Sequence, residues 1–119
     1  MSPDDGQLTI AGIDTEAGLK RLGGKRERYE SLLRKFAARQ AGTIDSIRTS
    51  LIGGDIAAAE RDAHSLKGSA ATLGANILGH EAGKVEAAIK SGGEVDAALS
   101  SLSQSLDGLI AGIRAVLSE

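Results

Sequence analysis

Apolar side chains recur along most of this chain at spacings of three and four, the interval that lines one face of an α-helix. From about Lys25 to Gln40 the series is Tyr29, Leu32, Leu33 and Phe36, with charged residues on the opposite face. Ile44, Ile47, Leu51 and Ile52 continue that register, so the segment can run on as one bent helix to Gly53. Asp55 is placed to cap a following helix with the seam Ile56, Ala59, Ala63, Leu66, Ala70 and Leu73. After Gly74-Ala75, Asn76 can cap another, whose seam is Leu78, Ala82, Val85 and Ile89. A last helix, from about Glu94 to Leu117, shows Val95, Leu99, Leu102, Leu106, Leu109, Ile113 and Val116.

Ahead of these, Asp14 or Thr15 can cap a short helix ending near Gly23, and Leu8, Ile10 and Ile13 are expected to fold over one end of the core. Residues 1–6 are polar and expected to be disordered. No period-two alternation lasts long enough for a strand. Gly23-Gly24, Gly53-Gly54 and Gly92-Gly93 each follow an apolar-periodic segment, where a helix ends best on a residue tolerating positive φ. The pattern predicts an all-α protein: an antiparallel four-helix bundle, spanning about residues 14–118, with a short additional N-terminal helix. With 119 residues and no repeat or long linker, a single domain over residues 1–119 is expected.

Composition narrows the function classes. A net charge of −2 leaves no basic field for a nucleic-acid backbone, and one Tyr, one Phe and no Trp leave no stacking platform. No apolar run approaches the ~20 residues that span a bilayer, and no signal-peptide pattern opens the chain. The lack of cysteine removes disulfides and thiolate metal sites and fits a reducing cytoplasm. No nucleic acid and no membrane are expected as partners, and the expected location is cytoplasmic.

One stretch is chemically distinctive: Ala63-His64-Ser65-Leu66-Lys67-Gly68. On the helix whose seam is Ala63, Leu66 and Ala70, His64 falls on the solvent side, sharing a ridge with Ala57, Arg61, Lys67, Gly68 and Ala71. Glycine in an exposed helix interior costs ~1 kcal/mol against alanine, so Gly68 calls for a reason. Removing the side chain one turn from His64 lets a partner's loop reach the imidazole. Lys67, three residues on, can stabilise charge on an anionic group at the ring. A nucleophilic nitrogen, a nearby cation and steric room together suit a phosphoryl-accepting histidine.

Glu86 enters by geometry. His64 lies eleven residues before the turn at Ala75 and Glu86 eleven after it, so an antiparallel hairpin sets both at the same height, roughly 16 Å from the turn. From the border of its seam Glu86 either reaches and orients the imidazole or serves merely as a solvated bundle glutamate. His80 lies opposite its helix's seam beside Glu81 and Lys84 and reads as a surface histidine. The two histidines are not at metal-ligand spacing, so no metal site is expected, and a serine nucleophile at Ser65 or Ser69 has no base placed beside it.

These residues resemble the histidine-containing phosphotransfer (HPt) domain family. The segment from Ala63 to Gly68, continued by Leu73-Gly74-Ala75, is similar to the family's His-x-Leu-Lys-Gly signature and Gly-Ala turn. Leu78, Ala82, Val85-Glu86 and Ala88 match its next helix; Gly18-Leu19, Arg21-Leu22-Gly23-Gly24, Tyr29, Leu32-Leu33 and Phe36 look like its N-terminal half. The resemblance implies that His64 takes a phosphoryl group from the aspartyl phosphate of a response-regulator receiver domain and passes it to another receiver, in a two-component phosphorelay. It implies attack by Nε2, with Lys67 as the phosphoryl neighbour, Gly68 as the clearance residue, Glu86 as the ring-orienting partner, and Arg61, Ala71 and Thr72 on the docking face. No cofactor is expected on this chain; Mg²⁺ is expected on the receiver. The chain would be a carrier without kinase activity of its own, a monomer, and a partner of receivers or of a hybrid sensor histidine kinase. Two rival readings stand beside it. One is the dimerisation and phosphoacceptor domain of a sensor histidine kinase, which usually has an acidic residue directly after its histidine, where this chain has Ser65. The other is a non-catalytic helical adaptor in which His64 is incidental.

Overall fold

A computed structural model describes residues 9–117. Six helices follow one another: α1 (Thr15–Arg21), α2 (Arg26–Gln40), α3 (Thr43–Ile52), α4 (Ile56–Leu73), α5 (Asn76–Ser91) and α6 (Asp96–Leu117). The expectations for residues 1–6 and for Leu8 lie outside the described residues. Helices α2 and α3 are one bent rod. Ala41 keeps helical angles, Gly42 departs from them at φ −105° and ψ 5°, and the Thr43 hydroxyl donates to the Gln40 side chain across the bend. Counted that way, four long helices form a ring in which α2–α3 packs on α4, α4 on α5, α5 on α6, and α6 on α2, with α1 laid over α4 and α2. This is the four-helix bundle with a short N-terminal helix that the periodicity predicts.

The seams meet in one core. Ala59, Ala63, Leu66, Ala70 and Leu73 of α4 face Leu78, Ala82, Val85 and Ile89 of α5, Leu99, Leu102, Leu106 and Ile113 of α6, and Leu33, Phe36, Ile44 and Ile47 of α2–α3. Because Ala63 and Leu66 are wholly buried, the helical repeat turns His64, Lys67 and Gly68 outward. Small residues bring α4 and α5 close together: a Cβ added at Gly79 would lie 3.7 Å from the Ala70 methyl and 3.7 Å from the Lys67 carbonyl oxygen. That proximity lets side chains from the two helices share one polar site.

The α4–α5 turn is two residues long. Gly74 sits at φ 86°, Ala75 N–H donates to Ala70 O (2.8 Å) and Gly74 N–H to Ala71 O (3.2 Å), the paired bonds of a Schellman ending. Asp14 caps α1 and Asp55 caps α4 through their carboxylates. Asn76 does not cap α5. The cap position is Ala75, whose methyl is fully buried, so the tight turn leaves Asn76 as the first helical residue. Three expected core residues are also exposed. Ile52 (89%) and Ile56 end α3 and begin α4 at the same chain reversal, beyond the ring of contacts, and Val116 is rotated out because Ile113 and Leu117 hold the seam.

The N-terminal segment locks onto the α4–α5 turn. Asp14 N–H donates to Gly74 O (2.8 Å), and the buried Tyr29 hydroxyl donates to Leu73 O (2.6 Å). Gly18 has to be glycine here, since a Cβ would come within 2.4 Å of Leu73 O and 2.6 Å of the Tyr29 oxygen. Arg21 adds a hydrogen bond to the Ala71 carbonyl. Burial first, then the nearby Asp14 carboxylate, with the Arg21 guanidinium opposing, pushes the Tyr29 hydroxyl up to about 12. Since this folded-state value is raised, the stability it contributes is complete below the unfolded tyrosine's pKa near 10 and is lost as pH rises towards 12. As the chain's one tyrosine, Tyr29 gives an unambiguous phenolate absorbance in an alkaline titration. We expect its ionisation well above the free-tyrosine range or together with unfolding, and Tyr29→Phe to lose about 1–2 kcal/mol in denaturant titrations. Ionisation near pH 10 in an intact fold would contradict this packing.

Candidate functional site

The site is built from one face of α4 and the facing edge of α5. His64 projects from the middle of α4 with its side chain 67% exposed, and its Nδ1 lies 2.8 Å from Glu86 Oε2. The two residues that the hairpin arithmetic set at equal height are therefore in direct contact. Glu86 is a rare buried acid, 6% exposed. Its two oxygens are shared among three partners: Oε2 with His64 Nδ1, Oε1 with Lys67 Nζ at 3.2 Å, and Oε2 again with Lys90 Nζ at 3.6 Å.

Burial tends to raise the Glu86 pKa, but the hydrogen bonds from Lys67 and then His64, with the positive charge of Lys67 and that of the ring when it is protonated, outweigh it. The net effect holds the carboxyl below its usual range. Glu86 is therefore a carboxylate at neutral pH and can only accept hydrogen bonds. Its contact with the ring places the imidazole proton on Nδ1, leaving the Nε2 lone pair as the free nucleophilic position. One short contact thus fixes ring orientation and tautomer together.

Around the ring the surface is open. A Cβ at Gly68 would meet nothing within 4 Å, so the helix surface one turn from His64 is bare. Arg61, Ala71 and Thr72 are all exposed on the same side of α4. Thr72 bonds its hydroxyl back to Gly68 O at 3.1 Å, and the Ala71 carbonyl is already taken by Arg21. On the flank away from α5, a hollow of about 320 Å³ between α2 and α4 has Leu32 and Phe36 beside Lys35 and Arg39, with Ser69 and Thr72 on the α4 side. His80 is exposed on α5, outside the His64–Glu86 cluster. Among the described residues no group of three or more His, Cys, Asp or Glu is placed to hold a metal, and no helix is long and apolar enough to cross a membrane.

Two residues of the cluster escape a reading by seams alone. Lys90 follows Glu86 by four residues, a helical ion-pair spacing visible in the sequence once Glu86 is singled out. Gly83 has no such signal. A Cβ there would lie 3.3 Å from Lys67 Cδ, so its bareness makes the channel through which the lysine stem crosses α5 towards Glu86.

The chain matches a family model and resembles a solved structure. A model of the Hpt domain family matches residues 31–117. That span holds the whole His64 cluster, while the upstream similarity from Gly18 to Tyr29 falls outside it. Among solved structures, the HPT domain of a sensor hybrid histidine kinase from Shewanella aligns with a TM-score of 0.77 and 20% identity, covering 90% of this chain and 94% of that one. At that identity the likeness speaks for the fold. No curated protein matches.

The depressed Glu86 pKa has a consequence for acid stability. A group lowered on folding contributes stability that is full above its unfolded pKa of about 4.3 and lost as pH falls through the folded value. Denaturant titrations of the wild type and Glu86→Gln over a pH series should show the wild type losing stability relative to the variant below about pH 4. A constant difference across that range would mean that the charge on Glu86 is not what the cluster stabilises.

Proposed function

Because this chain belongs to the Hpt domain family, we propose that it relays a phosphoryl group between receiver-domain aspartates through a phosphohistidine at His64. The family's role is phosphotransfer in two-component signalling, as phosphocarriers rather than kinases. The observation that carries the His64 assignment is that its Nδ1 is tied down by Glu86 at 2.8 Å while the ring stays 67% exposed. That arrangement presents Nε2, with its lone pair, to a visiting protein.

In the transfer, the Nε2 lone pair attacks phosphorus in line with the P–O bond to the receiver's aspartate, and that bond breaks with its electron pair on the carboxylate. Return to a second receiver is the reverse. The chain supplies a positioned nucleophile, and Lys67 offers positive charge to the phosphoryl oxygens. Mg²⁺ belongs to the receiver, which meets this chain over Arg61, Gly68, Ala71 and Thr72. The chain acts as a monomer in the cytoplasm, fed by a receiver such as that of a hybrid sensor histidine kinase.

A phosphorylated receiver with Mg²⁺ should label the chain with an acid-labile, base-stable phosphate. The label should vanish in His64→Gln and persist in His80→Gln; label retained without His64 would refute the assignment. Lys67→Ala should slow transfer while leaving the fold intact. Gly68→Gln should stabilise α4 by up to about 1 kcal/mol, since glutamine is the better helix former, yet weaken transfer from the receiver by obstructing it. Undiminished transfer in Gly68→Gln would show that the receiver approaches elsewhere.

A further inference from the structure

The Glu86 carboxylate controls more than a ring angle, as the proton count of the transfer makes plain; the argument rests on the phosphoacceptor reading above. When Nε2 bonds to phosphorus, Nδ1 still carries the proton it donates to Glu86, so the phosphorylated ring is a cation. If that proton stays, the Nε2–P bond later breaks with its electron pair on Nε2 and releases a neutral imidazole. If it is lost, the same cleavage must expel an imidazolate, a far poorer leaving group. We propose that Glu86 retains the Nδ1 proton on phospho-His64 near neutral pH, holding the phosphohistidine in its labile, transfer-ready form and making this chain a fast carrier rather than a phosphoryl store.

Three features support this. The Glu86 oxygen lies 2.8 Å from Nδ1 and the residue is 6% exposed, so water screens the attraction to the cationic ring weakly. A neutral amide at the same place would accept the N–H but offer no charge to hold it. Lys67 from α4 and Lys90 from α5 are the cations on this carboxylate. They favour its ionised form, so the shared proton rests on nitrogen rather than on Glu86. They also oppose the ring's positive charge, and against them stand Glu86 itself and the two negative charges of the phosphoryl group.

The test loads the full chain with potassium phosphoramidate, a small donor that needs no receiver, and follows phosphohistidine loss by ³¹P NMR from mildly acidic to mildly alkaline pH. The wild type should keep its fast loss to a pH at least about one unit above the corresponding fall in Glu86→Gln, which makes the variant about tenfold longer-lived at neutral pH. Superimposed profiles from two folded proteins overturn the proposal. Should Glu86→Gln not fold by circular dichroism, the ¹⁵N spectrum of wild-type phospho-His64 decides: a protonated Nδ1 at neutral pH is expected, and a bare one overturns the proposal. A wild type that takes no phosphate on His64 overturns the phosphoacceptor reading and this inference with it. Phosphate on His64 with coincident pH profiles removes this inference alone.

Discussion

The contact between Glu86 and His64 Nδ1 is the constraint to which the rest of this structure answers. A carboxylate withdrawn from water needs compensation, and it finds three partners, the imidazole and the ammonium groups of Lys67 and Lys90. Burial alone would favour its neutral acid; the Lys67 ammonium and the ring reverse that preference. An ionised Glu86 dictates which ring nitrogen is protonated, and so which one is nucleophilic. The carboxylate that does this comes from the neighbouring helix, α5.

The bundle exists, from the site's point of view, to keep those two helices in register. Three of the five buried α4 residues are alanines, and Gly79 and Gly83 stand where α5 crosses. This lets the backbones approach closely enough for a glutamate to reach across and for a lysine stem to lie in the gap. The two-residue turn at Gly74-Ala75 sets the axial offset, and the N-terminal segment clamps that turn through Asp14, Gly18 and Tyr29. A slip of one residue would carry Glu86 (in α5) or His64 (in α4) about 100° round its helix axis and out of reach.

Much of this was legible in the residues. The three-and-four spacing of Ala59, Ala63, Leu66 and Ala70 defines the buried arc of α4 and hence the outward direction of His64, because a helix has a single period. Equal offsets from the turn put His64 and Glu86 at one height, because an antiparallel hairpin with a short turn leaves no freedom along the axis, but whether the carboxylate reaches the ring or faces solvent was left to the packing. The failures have other causes. Ile52 and Ile56 fit the period but sit at the chain reversal between α3 and α4, and periodicity carries no record of where a partner stops; Val116 also fits it, but Leu117 takes the seam at that end of α6. Asn76 has the chemistry of a cap, but core packing of the Ala75 methyl takes the position. Gly83 and Gly18 matter through what passes over them, a lysine stem and a carbonyl, and long-range contacts of that kind leave no local pattern.

The central claim is that Nδ1 is committed to Glu86, so that chemistry belongs to the other nitrogen of His64. The most direct measurement is the ³¹P–¹⁵N coupling pattern of the phosphorylated, ¹⁵N-histidine-labelled protein, which identifies the atom bonded to phosphorus. Phosphorus on Nε2 of His64 is the predicted result. Phosphorus on Nδ1 of His64, or on either nitrogen of His80, would contradict the account.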